Sequence, residues 1–298
     1  MRIRAIINPS AGRQSLQKNA DHILTRLLDE GIASKVDVFH TKGSGDAFTA
    51  ARSFQPWEAD LVLAVGGDGT VNEVVNGLIS GRHQTPLAIL PAGTSNDFAY
   101  AMKIPQTVDA YFNMVKQFRT TPVDVGRVGE TCFLNVVAGG MLTDVPFKVP
   151  SEAKTVLGQM AYTLSGAIDL PSQIFRSIPI TLRCKDHLIE DDILLFIVAN
   201  TTSVAGFRCM TPQASVSDGL LDVLVIHKQG LFDILPLLAQ IMSGDHLSNS
   251  RVSYFQTDSL EIFCRDSCSV QLDIDGEQGP VLPAKIEVLP GAISLLIP

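Results

Sequence analysis

LVLAVGGDGT, residues 61–70, is an apolar run that ends in a glycine-rich turn and leads into Val71, Asn72 and Glu73. Residues 61–65 carry no polar alternate, which fits a central strand of a parallel sheet, buried on both faces. The glycines then fall where that strand leaves the sheet, the edge at which α/β proteins place ligands. Without a Cβ, Gly66, Gly67 and Gly69 are expected to take positive φ and to turn their N–H groups toward a phosphate. Thr70 and Glu73 have the spacing of a capping box, which predicts a helix start there with its positive dipole end on the same anion. Asp68 beside a phosphate would repel it unless a divalent cation lay between them, making this carboxylate a candidate for Mg²⁺ contact. The same residues also suit a plain strand-to-helix turn in which the aspartate serves local hydrogen bonds.

Around this turn the first 120 or so residues alternate strand and helix. Strands are expected at 3–8, 35–40, 61–65 and 87–90, and helices at 14–30, 46–54, 71–79, 95–102 and 108–118. Such a βαβ series implies a mostly parallel sheet covered on both faces. From about Val123 the rhythm changes to strands at 123–128, 132–137, 178–184, 193–199, 221–227, 251–256, 259–264, 269–274 and 284–288. Helices interrupt near 151–170 and 231–243, and the whole predicts a two-layer β-sandwich domain.

Bulk properties narrow the class. At 298 residues the chain suits two domains. Hydrophobic residues make up 46% and the mean hydropathy is +0.22, yet the richest runs, 193–199 and 231–242, are too short or are broken by Asp233, Pro236 and Gln240 to span a bilayer. The N-terminus enters a strand pattern without a signal-peptide layout, so the cytoplasm is the expected compartment. Five cysteines without a C-x-x-C pair read as reduced thiols rather than as a disulfide frame or zinc site. A net charge of −8 argues against a nucleic-acid surface.

Three further strand-to-loop junctions carry chemistry. Asn8, Pro9, Ser10, Ala11 and Gly12 end the first strand with small residues that let a nucleotide approach the backbone, or simply form a surface loop. PAGTSND, residues 91–97, ends the fourth strand, with Thr94 or Ser95 as N-cap and Asp97 in the first helical turn. LDIDGE, residues 272–277, places Asp275 and Glu277 around Gly276, also the composition of an ordinary charged hairpin tip.

Taken together, these stretches resemble the diacylglycerol kinase catalytic-domain superfamily, above all its bacterial soluble lipid kinases, with sphingosine kinases near and NAD kinases and 6-phosphofructokinases further off. The likeness covers almost the whole chain. It runs through 8–12, 66–70 with Asn72 and Glu73, 93–97, Asp124, SVSDGLLD at 215–222, and 275–277. It implies an NAD kinase/phosphofructokinase-like first domain, residues 1–122 with 290–298 returning at the end of the chain, and a β-sandwich substrate domain, residues 123–289.

At matching positions the resemblance assigns nucleotide binding to Asn8, Pro9, Ser10, Ala11, Gly12, Thr41, Gly66, Gly67, Asp68, Gly69, Thr70, Val71, Asn72 and Thr94, with Asp97 nearby. The general base falls to Asp275 or Glu277, and a structural Mg²⁺ to Asp218 with Ser215 and Leu220. The implied activity is ATP- and Mg²⁺-dependent phosphoryl transfer to a hydroxyl of a diacylglycerol-like or other lipid, with Asp68, joined by Asp97 or Asp124, facing the phosphates through a cation. Partners would be the lipid and, transiently, a membrane surface, for which 145–150 or 231–242 offers an apolar edge. Oligomeric state stays open, a homodimer included. Tyr100 stands where relatives often carry Arg, with Arg13 as a substitute cation, and the loop 205–212 has one glycine where relatives tend to have two or three. A kinase of a soluble metabolite such as NAD and a non-catalytic nucleotide-binding protein of the same fold are the rival readings.

Overall fold

The computed structural model describes residues 1–11, 14–140, 177–204, 206–265 and 268–298. Two compact units are present, Met1–Val125 with Leu289–Pro298, and Gly126–Val288. In the first, strands β1 (Arg2–Ile7), β2 (Lys35–His40), β3 (Leu61–Gly66) and β4 (Leu87–Pro91) alternate with helices α1 (Gln14–Asp29), α2 (Asp46–Arg52), α3 (Asp68–Ser80), α4 (Asp97–Ala101) and α5 (Val108–Gln117). The strands pair in the order β4-β3-β1-β2, all parallel. Every residue of β3 and β4 is buried, as an unbroken apolar run requires when helices cover both faces.

The second unit is antiparallel. β5 (Arg119–Val128) enters it and pairs with β6 (Thr131–Phe133). β7 (Val136–Gly140), β8 (Ile178–Arg183), β9 (Leu188–Ala199), β10 (Leu221–His227), β11 (Val252–Thr257), β12 (Ser259–Cys264), β13 (Gln271–Ile274) and β14 (Glu277–Val281) follow. The last strand, β15 (Ala284–Ile297), pairs antiparallel with β12 through Ala284–Glu287, and its far end joins the first unit's sheet, where Leu295 lies parallel to Leu87. Alternate residues of β9 and β10 feed two cores. Phe196, Val198, Val223 and Val225 enter one; Leu194, Ile197, Leu224 and Ile226 enter the other, which Ile234, Leu237 and Ile241 of helix α6 (Leu231–Ser243) cover. Their spacing puts one stripe of α6 in the second unit's core, while Met242, at the end of the apolar stretch considered at 231–242, is 78% exposed. The alternative edge at 145–150 and the helix expected near 151–170 lie outside the described residues. Among the described residues no helix is long and apolar enough to cross a membrane.

Several boundaries differ from expectation for local reasons. α3 begins at Asp68, in the turn itself, rather than at Val71. β9 starts five residues before the apolar run at Ile193, because its exposed first half pairs with β8. β14 has no apolar signature, being exposed at most positions, and exists as the return arm of a hairpin with β13. Cys264 and Cys268 are joined in a disulfide, which corrects the expectation of five free thiols. A three-residue gap leaves their Cα atoms 5.9 Å apart, inside the span a disulfide bridges. Cys132, Cys184 and Cys209 are outside the disulfide, and burial pushes the Cys132 thiol up to about 11.

Candidate active site

Four neighbouring parallel strands end at one edge of the first unit's sheet, and the candidate nucleotide residues lie on the loops that leave it. Asn8 follows β1: its amide donates to Val65 O at 2.9 Å and its Nδ2 donates to Thr70 Oγ1 at 3.0 Å, stitching the first loop to the glycine turn. Its Oδ1 accepts the Ser10 amide at 2.9 Å, closing a tight turn that exposes Pro9 and Ser10 with Ala11 beside them. Gly12 and Arg13 lie outside the described residues. Thr41 follows β2, buried, with its amide on Ile7 O at 2.9 Å.

The glycine turn differs from expectation in an informative way. None of Gly66, Gly67 and Gly69 has positive φ. A Cβ on Gly66 would collide with the Thr70 side chain, and one on Gly93 would stand 2.6 Å from the Cα of Gly67. Close packing of two strand exits excludes side chains here; left-handed backbone does not. Gly67 is the N-cap of α3, extended at φ −86°, and among the described residues it forms no side-chain cap. The predicted capping box is therefore absent. Thr70 is tied to Asn8, and Glu73 reaches away to the amides of Gly45, Ala47 and Phe48. What remains is an uncapped thirteen-residue helix whose first turn carries Asp68, exposed Gly69 and buried Thr70 and Val71. Such an end presents amide donors and a positive dipole to an anion. Val71 is buried and its amide already donates to Gly67 O at 3.1 Å, so the open amides are those before it, and Asn72 accepts from Asn76 Nδ2 at 2.7 Å.

At the neighbouring exit, Asn96 rather than Thr94 or Ser95 caps α4, in left-handed backbone at φ 48°. Its side chain folds back to accept the Gly93 amide at 2.9 Å and donate to Gly93 O at 2.8 Å, so the helix starts two residues beyond the hydroxyls. Thr94 is exposed and Asp97 buried. Asp68 accepts the Phe98 amide at 3.3 Å, joining the two exits. Asp124, buried, accepts the Gly291 amide at 2.7 Å and holds the bend of β15, while Tyr100 is half exposed.

In the second unit, Asp275 has left-handed backbone at φ 50°. Its carboxylate accepts the amides of Leu134, Asn135 and Val136 at 2.7, 2.9 and 2.8 Å, which pins the β13–β14 tip to the start of β7. Glu277, two residues on, is exposed. Asp273, unremarked in the sequence, sits beneath the tip: burial, with the Glu277 charge beside it, pushes its carboxyl up, and it accepts the Gly276 amide at 2.9 Å. A buried polar web supports the same tip. Asn200 donates to Leu134 O at 3.0 Å, Thr201 to Asn135 Oδ1 at 3.2 Å, and Thr211 to Thr201 O at 2.7 Å. The signal for this web is the polar run NTTS, residues 200–203, directly after the apolar strand β9.

Ser215, Asp218 and Leu220 share one loop before β10; Asp218, exposed, accepts the Leu220 amide at 3.0 Å, and Gly219 takes φ +73°. Beside it Asp222 is fully buried, bonded by the Tyr254 hydroxyl and Gln256, and burial together with the Asp218 charge pushes its carboxyl up. Among the described residues no group of three or more His, Cys, Asp or Glu gathers as a metal cluster. His227, re-aimed by a bulge at the end of β10, bridges Asp191 at 2.7 Å and Ser253 at 2.8 Å as a tie across β9, β10 and β11.

Known proteins share both units. The description "diacylglycerol kinase catalytic domain" matches residues 2–128, and "YegS C-terminal NAD kinase beta sandwich-like domain" matches 135–297. Diacylglycerol kinase of Bacillus subtilis (strain 168) is 34% identical over 302 residues, covering 100% of this chain and 96% of that protein. Diacylglycerol kinase of Staphylococcus epidermidis is 32% identical over 298 residues, covering 100% and 92%. The crystal structure of a diacylglycerol kinase from Bacillus anthracis str. Sterne matches with a TM-score of 0.78 at 27% identity, over 100% of this chain and 97% of that one. With a parallel-sheet unit, a β-sandwich unit and relatives aligned over its full length, the chain belongs to the diacylglycerol kinase family and is a kinase that transfers phosphate to a hydroxyl group.

Proposed function

We propose that this kinase uses ATP, with Mg²⁺, to phosphorylate the hydroxyl of a diacylglycerol-type lipid, working from the cytoplasm at the surface of a membrane it contacts only transiently. The observation that supports the nucleotide half is the N-terminus of α3 at the carboxyl edge of β3, whose N-cap Gly67 brings no side chain to the first amides and packs backbone to backbone against Gly93. In this reading Asn8, Pro9, Ser10, Ala11, Gly12, Thr41, Gly66–Asn72 and Thr94 surround the nucleotide.

Phosphoryl transfer asks a protein chiefly to position groups and to offset charge. Glu277 takes the hydroxyl proton as the bond to phosphorus develops. Asp275 serves as its positioning residue, because three backbone amides already occupy both of its oxygens. The oxygen-only set of Asp218, Ser215 and Leu220 suits a hard cation in its donor chemistry, and one exposed carboxylate beside the buried Asp222 leaves negative charge for a cation to offset. Mg²⁺ bound there would hold the 215–220 loop, and Mg²⁺ at Asp68 would screen phosphate charge.

The test is a lipid-extract phosphorylation assay with γ-labelled ATP and mass identification of the product. A phosphorylated diacylglycerol is expected. Label found only on a soluble acceptor such as NAD, or no transfer at all, would overturn the reading.

A further inference from the structure

Glu73 lies one turn into the helix that starts at the glycine turn, and both of its oxygens are bonded to a different loop. One oxygen accepts the Gly45 amide at 2.9 Å and the Ser44 hydroxyl at 3.4 Å; the other accepts the amides of Ala47 at 3.1 Å and Phe48 at 3.4 Å. Ala47 and Phe48 are in the first turn of α2, whose own N-cap, Gly45, has no side chain to satisfy them. The cap is thus supplied by a different helix, the one that starts at the glycine turn. One turn further along the same face, a Cβ on Gly77 would collide with Phe48 O, so α2 is seated against α3 backbone to backbone. At the loop's other end Asp46 accepts the amides of Lys42 at 2.7 Å and Gly43 at 3.1 Å, and Thr41 hangs from Ile7 O. The loop from Thr41 to Gly45 is therefore held at both ends, and the tie that fixes its distance from the phosphate turn is Glu73.

We propose that Glu73 is a positioning residue for the nucleotide. It touches no substrate; it sets Thr41 and Ser44 against the turn from which its own helix springs. The proposal rests on the reading that ATP lies on this sheet edge.

Glu73→Gln is the sharp variant. It keeps the size of the side chain but turns an NH₂ donor toward the Ala47 and Phe48 amides or toward Gly45. The expected result is a rise of about tenfold in KM for ATP with kcat at saturating nucleotide within about twofold. Thr41→Ala should raise KM as well, and the double variant should be less than additive, since both act on one loop. Direct titration of ATP into the wild-type protein separates two failures. No binding by wild type defeats the nucleotide reading itself. Wild-type binding with unchanged KM in Glu73→Gln, full additivity with Thr41→Ala, or a lowered Tm with kcat reduced and KM unchanged defeats the positioning role.

Discussion

The turn after β3 and the tip between β13 and β14 are both short strand exits built from glycine and acid, yet the glycines do opposite jobs. At the first, φ is ordinary and the missing Cβ serves packing: Gly93 presses on Gly67, and Gly66 on Thr70. At the second there is open space around Gly276, and what matters is its left-handed φ of 85° after Asp275 at 50°. One site needs absent atoms; the other needs an allowed angle. Acids divide in the same way. Asp275 is consumed by backbone amides, while Glu277 stands exposed.

Alanine substitution should break this comparison most widely. Gly93→Ala forces its Cβ against the Cα of Gly67, where backbone cannot yield cheaply, and should cost about 3 kcal/mol of stability together with most of the affinity for ATP. Gly276→Ala meets nothing and pays only for its angle, about 1 kcal/mol, with ATP affinity intact. Denaturant melts and ATP titrations on the pair check this. Equal costs would dissolve the distinction.

A second pair sharpens the division between the acids. Glu277→Gln should cut turnover about a hundredfold or more while Tm and ATP binding hold. Asp275→Asn places an amide NH₂ among three N–H donors and should destabilise the protein by about 2 kcal/mol, losing activity through the displaced tip. Full activity in both variants would remove this hairpin from the chemistry.

The smallest effects lie in pH. Hydrogen bonds from Arg2 hold Asp60 of the first unit down at about 2, against an ordinary value of 3.8. Its stabilisation is present above 3.8 and fades as pH falls through 2; at this exposed pair it amounts to under about 1 kcal/mol. Asp222 has the opposite sign. Burial raises its carboxyl above 3.8, so the folded state favours the proton and stability declines as pH climbs from 3.8 toward the raised value. Melts of Asp60→Asn and Asp222→Asn against wild type across the acid range should therefore diverge in opposite directions. Parallel curves would contradict the assigned causes.

Much of the first unit was legible because burial on both faces writes a continuous apolar strand, as in β3, and because parallel strands place their loops in a fixed order at one edge. The second unit was legible in its apolar strands and in a long helix at 231–243. The amphipathic first half of β9 and the exposed β14 left little trace, since each is held by hydrogen bonds to a partner rather than by its own burial. Capping was the poorest inference. The spacing of Thr70 and Glu73 fits a box, and that of Thr94 and Ser95 fits a cap, but the side chains of Asn8 and Asn96 and the backbone amides at the start of α2 compete for the same groups, and the winner depends on tertiary contacts that one-dimensional spacing does not record. The Cys264–Cys268 pair escaped because a four-residue separation does not by itself fix the distance between two Cα atoms. Glu73 shows how much such a contact can hide: read locally it caps its own helix, and in three dimensions it caps another.

The central claim is that the turn after β3 holds the phosphates of ATP. The most direct measurement is the backbone amide spectrum of ¹⁵N-labelled protein titrated with Mg-ATP. The account predicts that Gly67, Asp68 and Gly69, with Gly93 and Thr94, shift together in step with binding. Saturable binding that leaves those amides unmoved would contradict it.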